Sequence, residues 1–251
     1  MGSPSIVAFI PARSGSKRVK DKNVRLLGDH PVLAYAVCSA RQSGVFDAVI
    51  LSTDSEHYAA IGRHYGAEVP FLRPAEISTA TSPDIDWVDH ALRALDQSGR
   101  RFDCFSILRP TSPFRQPDTI RRAWDQFRAA QGVDSLRAVE KCRQHPGKMW
   151  VVRGQHMAPL MPLTPPDQPW HSNQYAILPE VYVQNASLEI AHSHVVSNGR
   201  TIAGNVLMPF FTQGMEGVDI NDPEDWWHAE HLIASGEATL PNVDRPLYPG
   251  L

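Results

Sequence analysis

The stretch IVAFIPARSGSKRVKDKN, residues 6–23, decides how the rest of the chain is read. Ile6 to Ile10 is a short apolar run with β-branched residues, the pattern of a buried strand. Pro11 ends it, because proline offers no N–H to a ladder. The loop that follows carries Arg13, Lys17, Arg18, Lys20 and Lys22 against a single carboxylate, Asp21. Ser14, Gly15 and Ser16 are small enough to let a ligand approach backbone N–H groups. Cations and exposed amides at the C-terminal end of a first strand suit a polyphosphate, and in α/β folds ligands gather at that edge. The alternative reading is a solvated basic loop. Neither G-x-x-x-x-G-K-[ST] nor G-x-G-x-x-G is present, so a different nucleotide fold is required.

The length of 251 residues accommodates one domain with a sizeable excursion, and 42% hydrophobic with 20% charged residues is ordinary for a globular protein. A net charge of -3 argues against nucleic-acid or membrane binding and makes the basic loop a local feature. Cys38, Cys104 and Cys142 are odd in number and widely spaced, which reads as thiols in a reducing compartment and not as disulfides or a zinc site. No apolar run of transmembrane length and no signal-peptide core is seen, so a cytoplasmic location is expected.

Strand-like and helix-like segments then alternate. Val32, Leu33, Ala36, Val37 and Ala40 repeat at helical spacing between Pro31 and the stop at Gly44. Ala48 to Thr53 reads as a second buried strand, with Asp54 and Ser55 as caps for a helix through Ala59–Tyr65 that Gly66 ends. Glu68 to Leu72 reads as a third short strand. Ile85, Val88, Leu92 and Leu95 form one helical face begun near Pro83. Phe102 to Leu108 is the next strand, broken by Pro110 to Pro113, and Ile120, Trp124 and Phe127 share a face of a helix starting at Pro117. This order implies an α/β, Rossmann-like fold with a mainly parallel sheet and helices on both faces.

From about residue 141 the pattern changes. Prolines 159, 162, 165, 166, 169 and 179 forbid long helices. An excursion at about 145–190 is expected to be a lid, an active-site wall or a dimer arm. Regular structure resumes at Ser187 to Ile190 and Val206 to Phe211. Asp222-Pro223-Glu224 starts a closing helix, with Asp222 at the cap and Pro223 in the first turn. The His192/His194 and His228/His231 pairs lack a third ligand at metal spacing and are rejected as a transition-metal site. Trp124, Trp226 and Trp227 read as core or helix-face residues.

Several blocks occur in a fixed order: P-A-R-S-G-S-K-x-x-x-x-K-N at 11–23, S-T-D at 52–54, R-P-A-E at 73–76 and P-T-S-P at 110–113. H-P-x-K at 145–148, Q-N-A-S-L at 184–188 and D-I-N at 219–221 complete the set. Together they resemble the acylneuraminate cytidylyltransferases over nearly the whole chain. The resemblance implies a GT-A-like nucleotidyltransferase that couples CTP to a 2-keto sugar acid, releasing pyrophosphate. It also implies a homodimer with an arm reaching the partner subunit. Such a displacement is catalysed mainly by positioning and charge neutralisation.

On this basis Arg13, Lys17 and Lys22 are the expected triphosphate ligands, with Ala12, Ser14, Gly15 and Ser16 bringing the backbone to the nucleotide. Asn23, Arg73 and Ser82 match nucleotide-contacting positions, although the 77–81 segment lacks the acidic residue often seen there. The simpler readings are a cap for Asn23, a surface ion pair for Arg73 and a helix start for Ser82. Arg18 and Lys20 are expected to face solvent, and Asp54 to be a helix cap. A magnesium ion would be held by Asp219, with Asn221 standing where the sialic-acid enzymes often have a second aspartate. Arg13, Lys22 and Asp219 are the residues expected to serve catalysis directly.

The acceptor side departs from the sialic-acid pattern. Arg109 stands where L-Q-P-T-S-P has glutamine, Val183 where an arginine often precedes Asn185, and 173–179 replaces the R-Q-x-L-P block. Arg109 is therefore expected to hold an acceptor anion, with Lys148 as a second carboxylate partner and Gln184 and Asn185 as polar contacts. The implied acceptor is an acid other than ordinary N-acetylneuraminate: another nonulosonic acid, or a smaller one such as a phosphonate. Two rival readings stay open: a nucleotidyltransferase using UTP or GTP, and a non-catalytic nucleotide-binding protein of the same fold.

Overall fold

In the computed structural model, which describes residues 3–161, 165 and 167–251, the first strand sorts its side chains by period two. Strand β1 (Ile6–Pro11) sends Ile6, Ala8 and Ile10 into one core and Val7 and Phe9 into another. Such a strand must be covered on both faces, and the following elements do this. A short antiparallel pair, β2 (Leu26–Leu27) and β3 (His30–Pro31), leads into α1 (Val32–Ser43), which Gly44 ends in the left-handed conformation. Next come β4 (Ala48–Ser52), α2 (Glu56–Tyr65), α3 (Asp84–Gln97), β5 (Cys104–Ile107) and α4 (Pro117–Ala129). The Ile6/Ala8/Ile10 face is covered by residues of α1, α2 and α4, among them Leu33, Ile61 and Trp124. The Val7/Phe9 face is covered by Trp87, Val88 and Leu95 of α3.

The chain continues through β6 (Ser135–Lys141), β7 (Trp150–Arg153), β8 (His156–Pro159), β9 (Tyr182–His192), α5 (His194–Gly199), β10 (Leu207–Phe211) and α6 (Pro223–Ala234). The central sheet has six strands in the order β10-β6-β9-β5-β1-β4. β1 runs parallel to both β4 and β5, and β9 runs antiparallel to β5 with Ile107 opposite Glu189. This is the expected Rossmann-like α/β fold with a mainly parallel sheet. A third core, built from Val19, Leu27, Tyr35, Ile220, Trp226 and Leu232, seats α6 against the basic loop's own segment. Trp124 and Trp226 are buried, whereas Trp227 is exposed.

Two local expectations differ. Glu68–Leu72 is not a strand: Glu68 alone bridges to Ile50, and Pro70 has no N–H with which to extend the pairing. The β6 strand gave no separate sequence signal, because its charged residues Arg137, Glu140 and Lys141 interrupt the apolar pattern.

The described residues form two compact units, one running up to Ala138 and resuming at Asn185–Leu251, the other being Val139–Gln184. The second unit contains the antiparallel ribbon β7–β8 and three short 3-10 turns, and His145 bonds Gly147 N and the Pro179 carbonyl within it. Prolines 162 and 166 lie outside the described residues.

Candidate active site

The ladder that ends β1 also fixes the start of the loop. Ala12 is buried and its N–H donates to the Ser52 carbonyl at 3.0 Å. Ser14 then donates both its N–H and its Oγ to the Asp54 carboxylate, each at 2.7 Å. The Ser14 amide is therefore committed to protein and does not offer itself to phosphate. Asp54 is a loop anchor and not a cap, since the side chain of Ser55 caps α2 by accepting from Tyr58 N. Gly15 adopts φ +70°, a conformation that glycine reaches without steric cost. Val19 is buried in the core beneath α6, and the Asn23 amide donates to the Arg13 carbonyl at 3.2 Å, which closes the loop on itself.

These constraints open a cleft of about 280 Å³ in the larger unit, at the C-terminal ends of β1 and β5. Arg13, Lys17, Arg18, Lys22, Arg73 and Arg109 line it, with Asp84 the one acidic side chain in its wall among the described residues. Ser16, Asn23 and Ser82 also line it. Arg18 is exposed, as expected, and also reaches this wall, with Nη2 3.5 Å from Asn221 Oδ1. Arg73 is buried, donates to Ser52 Oγ and the Ser52 carbonyl, and lies over the Trp87 ring. It is no surface ion pair. Burial pushes its guanidinium down to about 10, with Asp54 and Asp84 opposing, so it stays charged at neutral pH.

Lys22 donates to the Ile220 carbonyl, joining the loop to the 219–221 segment. Burial lowers its pKa, an effect that Asp219 partly offsets. Asp219 Oδ2 accepts from the Asn221 amide at 2.6 Å, while its Oδ1 is buried and without a hydrogen-bond partner in the described structure. An orphaned carboxylate oxygen beside an amide in the cleft wall is a fitting donor set for a magnesium ion that takes its other ligands from phosphate and water. Among the described residues there is no group of three or more His, Cys, Asp or Glu that could hold a metal without such help.

Arg109, expected to hold an acceptor anion, is already paired within the protein. Its guanidinium is shared by Asp84 and Glu189, the latter at 3.0 Å, and Glu189 is paired in turn with Arg137. Asp84 also accepts from Trp87 Nε1 at 2.8 Å. Burial works to raise the Asp84 pKa, but the hydrogen bond and charge of Arg109 outweigh it and hold the carboxyl below the usual value. The buried Arg115 donates to the Arg109 and Ser187 carbonyls, fixing the backbone below.

The other acceptor-side expectations fall elsewhere. Asn185 donates to Thr212 Oγ1 at 2.9 Å, accepts from Ser187 N, and does not line the cleft. Lys148 and Gln184 belong to the second unit, where Lys148 donates to the His171 carbonyl and stands over the Tyr175 ring. Sequence reasoning read Asp54 as a helix cap and did not single out Asp84, Trp87 or Glu189. Only the position of Asp54 directly after a strand could have signalled its role.

Residues 7–146 match the cytidylyltransferase family. The CMP-N,N'-diacetyllegionaminic acid synthase of Legionella pneumophila is 32% identical over 241 residues, covering 94% of this chain and 99% of that protein. The N-acylneuraminate cytidylyltransferase of Escherichia coli is 44% identical over 118 residues, 47% of this chain and 27% of that protein. Among solved structures, a CMP:2-keto-3-deoxy-manno-octonic acid synthetase complexed with CTP superimposes with a TM-score of 0.66 at 13% identity, covering 92% of this chain and 99% of that one.

Proposed function

The chain belongs to the cytidylyltransferase family of nucleotidyltransferases, and on that premise we propose that it couples CMP from CTP to a nonulosonic or other 2-keto sugar acid, releasing pyrophosphate. The observation that carries this reading is the convergence of Arg13, Lys17, Arg18 and Lys22 on one cleft wall beside the 219–221 segment. A bond forms between an acceptor hydroxyl oxygen and the α-phosphorus, and the bond to the β-phosphate oxygen breaks. Arg13, Lys17 and Lys22 neutralise the departing pyrophosphate, arginine through its fork and lysine as a point charge. Arg73, Asn23 and Ser82 hold the nucleotide, with Gly15 and Ser16 letting the backbone approach it. Asp219 and Asn221 would hold magnesium, which when bound supplies further positive charge to the phosphates.

The acceptor is a nonulosonic acid other than N-acetylneuraminate, a reading supported by the full-length similarity to the legionaminic acid enzyme and by Arg109 in the cleft wall. Cys38, Cys104 and Cys142 are free thiols, which supports a reducing cytoplasmic setting that cell fractionation can check. Among the described residues no helix is long and apolar enough to cross a membrane. The second unit exposes Val152, Met157, Tyr175 and Ile177, an apolar set suited to a homodimer contact.

Calorimetry tests the nucleotide half. CTP with magnesium should bind, and Arg13→Ala and Lys17→Ala should each weaken binding about tenfold or more. Equal affinity for UTP and GTP would remove the cytidine selectivity from this account.

A further inference from the structure

Four charged side chains run inward from the cleft wall: Asp84, Arg109, Glu189 and Arg137. Their charges sum to zero, so the charge of Arg109 is balanced within the row. Two of the four, Glu189 at 4% and Arg137 at 6% exposure, are buried, and Glu189 stands opposite Ile107 in the β5–β9 ladder. Arg137 also donates to the Ile202 carbonyl at 2.9 Å. Buried ion pairs add little to stability compared with apolar packing, because desolvation consumes most of the attraction. They do fix orientation. Here what is oriented is the Arg109 guanidinium beyond the C-terminal end of β5, whose backbone Arg115 holds as well.

An anionic group approaching Arg109 finds its Nη2 already shared by two carboxylates. Asp84 and Glu189 both bond to Nη2, and Asp84 reaches Nη1 at 3.5 Å. Displacing Asp84 would also break its bond from Trp87. A hydroxyl or acylamino group has no such conflict, since it can donate to Asp84 and accept from Arg109 at once. Asp84 adds a negative charge at this point of the wall, which suits an uncharged substrate group better than a phosphate. Arg109 adjoins Thr111, whose carbonyl accepts from Ile220 N, between Asp219 and Asn221. This joins the end of the strand that carries Arg109 to the 219–221 segment, whose Asn221 lines the same cleft.

We propose that Arg109 and Asp84 form a donor–acceptor pair that selects the acceptor by an uncharged polar substituent, with Glu189 and Arg137 as buried positioning residues. The inference rests on the functional reading above. It is tested by steady-state pyrophosphate release with CTP, magnesium and, in turn, N,N'-diacetyllegionaminic, pseudaminic and N-acetylneuraminic acids.

With the acid that turns over, Asp84→Ala should raise the acceptor KM about tenfold or more and change the KM for CTP less than about twofold. Glu189→Gln and Arg137→Met should move the acceptor KM in the same direction, while Arg137→Lys keeps it near the wild-type value. An unchanged CTP KM in each variant shows that the protein is folded. A lower acceptor KM in Asp84→Ala would overturn the inference, because Arg109 would then be gripping an anion for which Asp84 competes. A parallel rise in the KM for CTP would overturn it too, by assigning the pair to the nucleotide. Unchanged acceptor KM in Glu189→Gln and Arg137→Met would overturn the positioning role. Absence of turnover with every acid would instead overturn the functional reading, and the inference with it.

Discussion

Lys22 shows how one residue joins the chemistry to the fold. Its ammonium bonds the Ile220 carbonyl while facing the cleft, and burial lowers its pKa from the ordinary 10.5. A lysine is cationic below its pKa, so the charge available to the pyrophosphate is lost as pH rises through that lowered value. The kcat/KM for CTP should therefore fall on an alkaline limb beginning below 10.5. Lys22→Arg should move that limb upward, because a guanidinium stays charged there. A limb that stays put in the variant would assign the titration to another group. The loop's cations were legible in the sequence because their type and density carry the message. Their partners were not, since Ser14 meets Asp54 and Arg109 meets Asp84 and Glu189 only after the chain has folded. Arg109 is the instructive case: its charge was visible in the sequence, but the two carboxylates that pair with it lie far away along the chain.

At the scale of elements, α6 controls the candidate metal segment. Asp222 accepts from Glu224 N and Asp225 N, and Asp225 accepts in return from Asp222 N, forming a capping box. Asp225 also accepts from Asn221 N at 2.7 Å, so the cap extends into the segment that carries Asp219. Asp222→Ala should cost about 1 kcal/mol of stability, visible as a lower Tm. If the cap also positions Asn221, the variant should need more magnesium for half-maximal rate, and an unchanged requirement would limit the cap to a structural role. Asp222, Pro223 and the following carboxylates were readable because capping is local chemistry. Glu68–Leu72 was misread for the opposite reason: its apolar pattern suits a strand, but pairing needs a partner edge and an N–H that Pro70 lacks.

For the whole molecule, period-two burial in β1 and helical spacing in α1, α3 and α4 were enough to give the α/β architecture. The acceptor-side candidates Lys148 and Gln184 belong to a second unit, whose sequence pattern is dominated by proline and gave few regular elements to read. That unit's exposed apolar residues lead to an expected mass in light scattering of twice 27.9 kDa. Val152→Glu with Ile177→Glu should return the protein to monomer, and a wild-type monomer would remove the dimer from the account. The central claim is transfer of CMP to a nonulosonic acid, and mass-spectrometric detection of the product tests it most directly. Purified protein with CTP, magnesium and N,N'-diacetyllegionaminic acid should yield the CMP-linked acid and an equal amount of pyrophosphate, and neither without the acid. CTP binding with no CMP-linked product from this acid, pseudaminic acid or N-acetylneuraminic acid would contradict it.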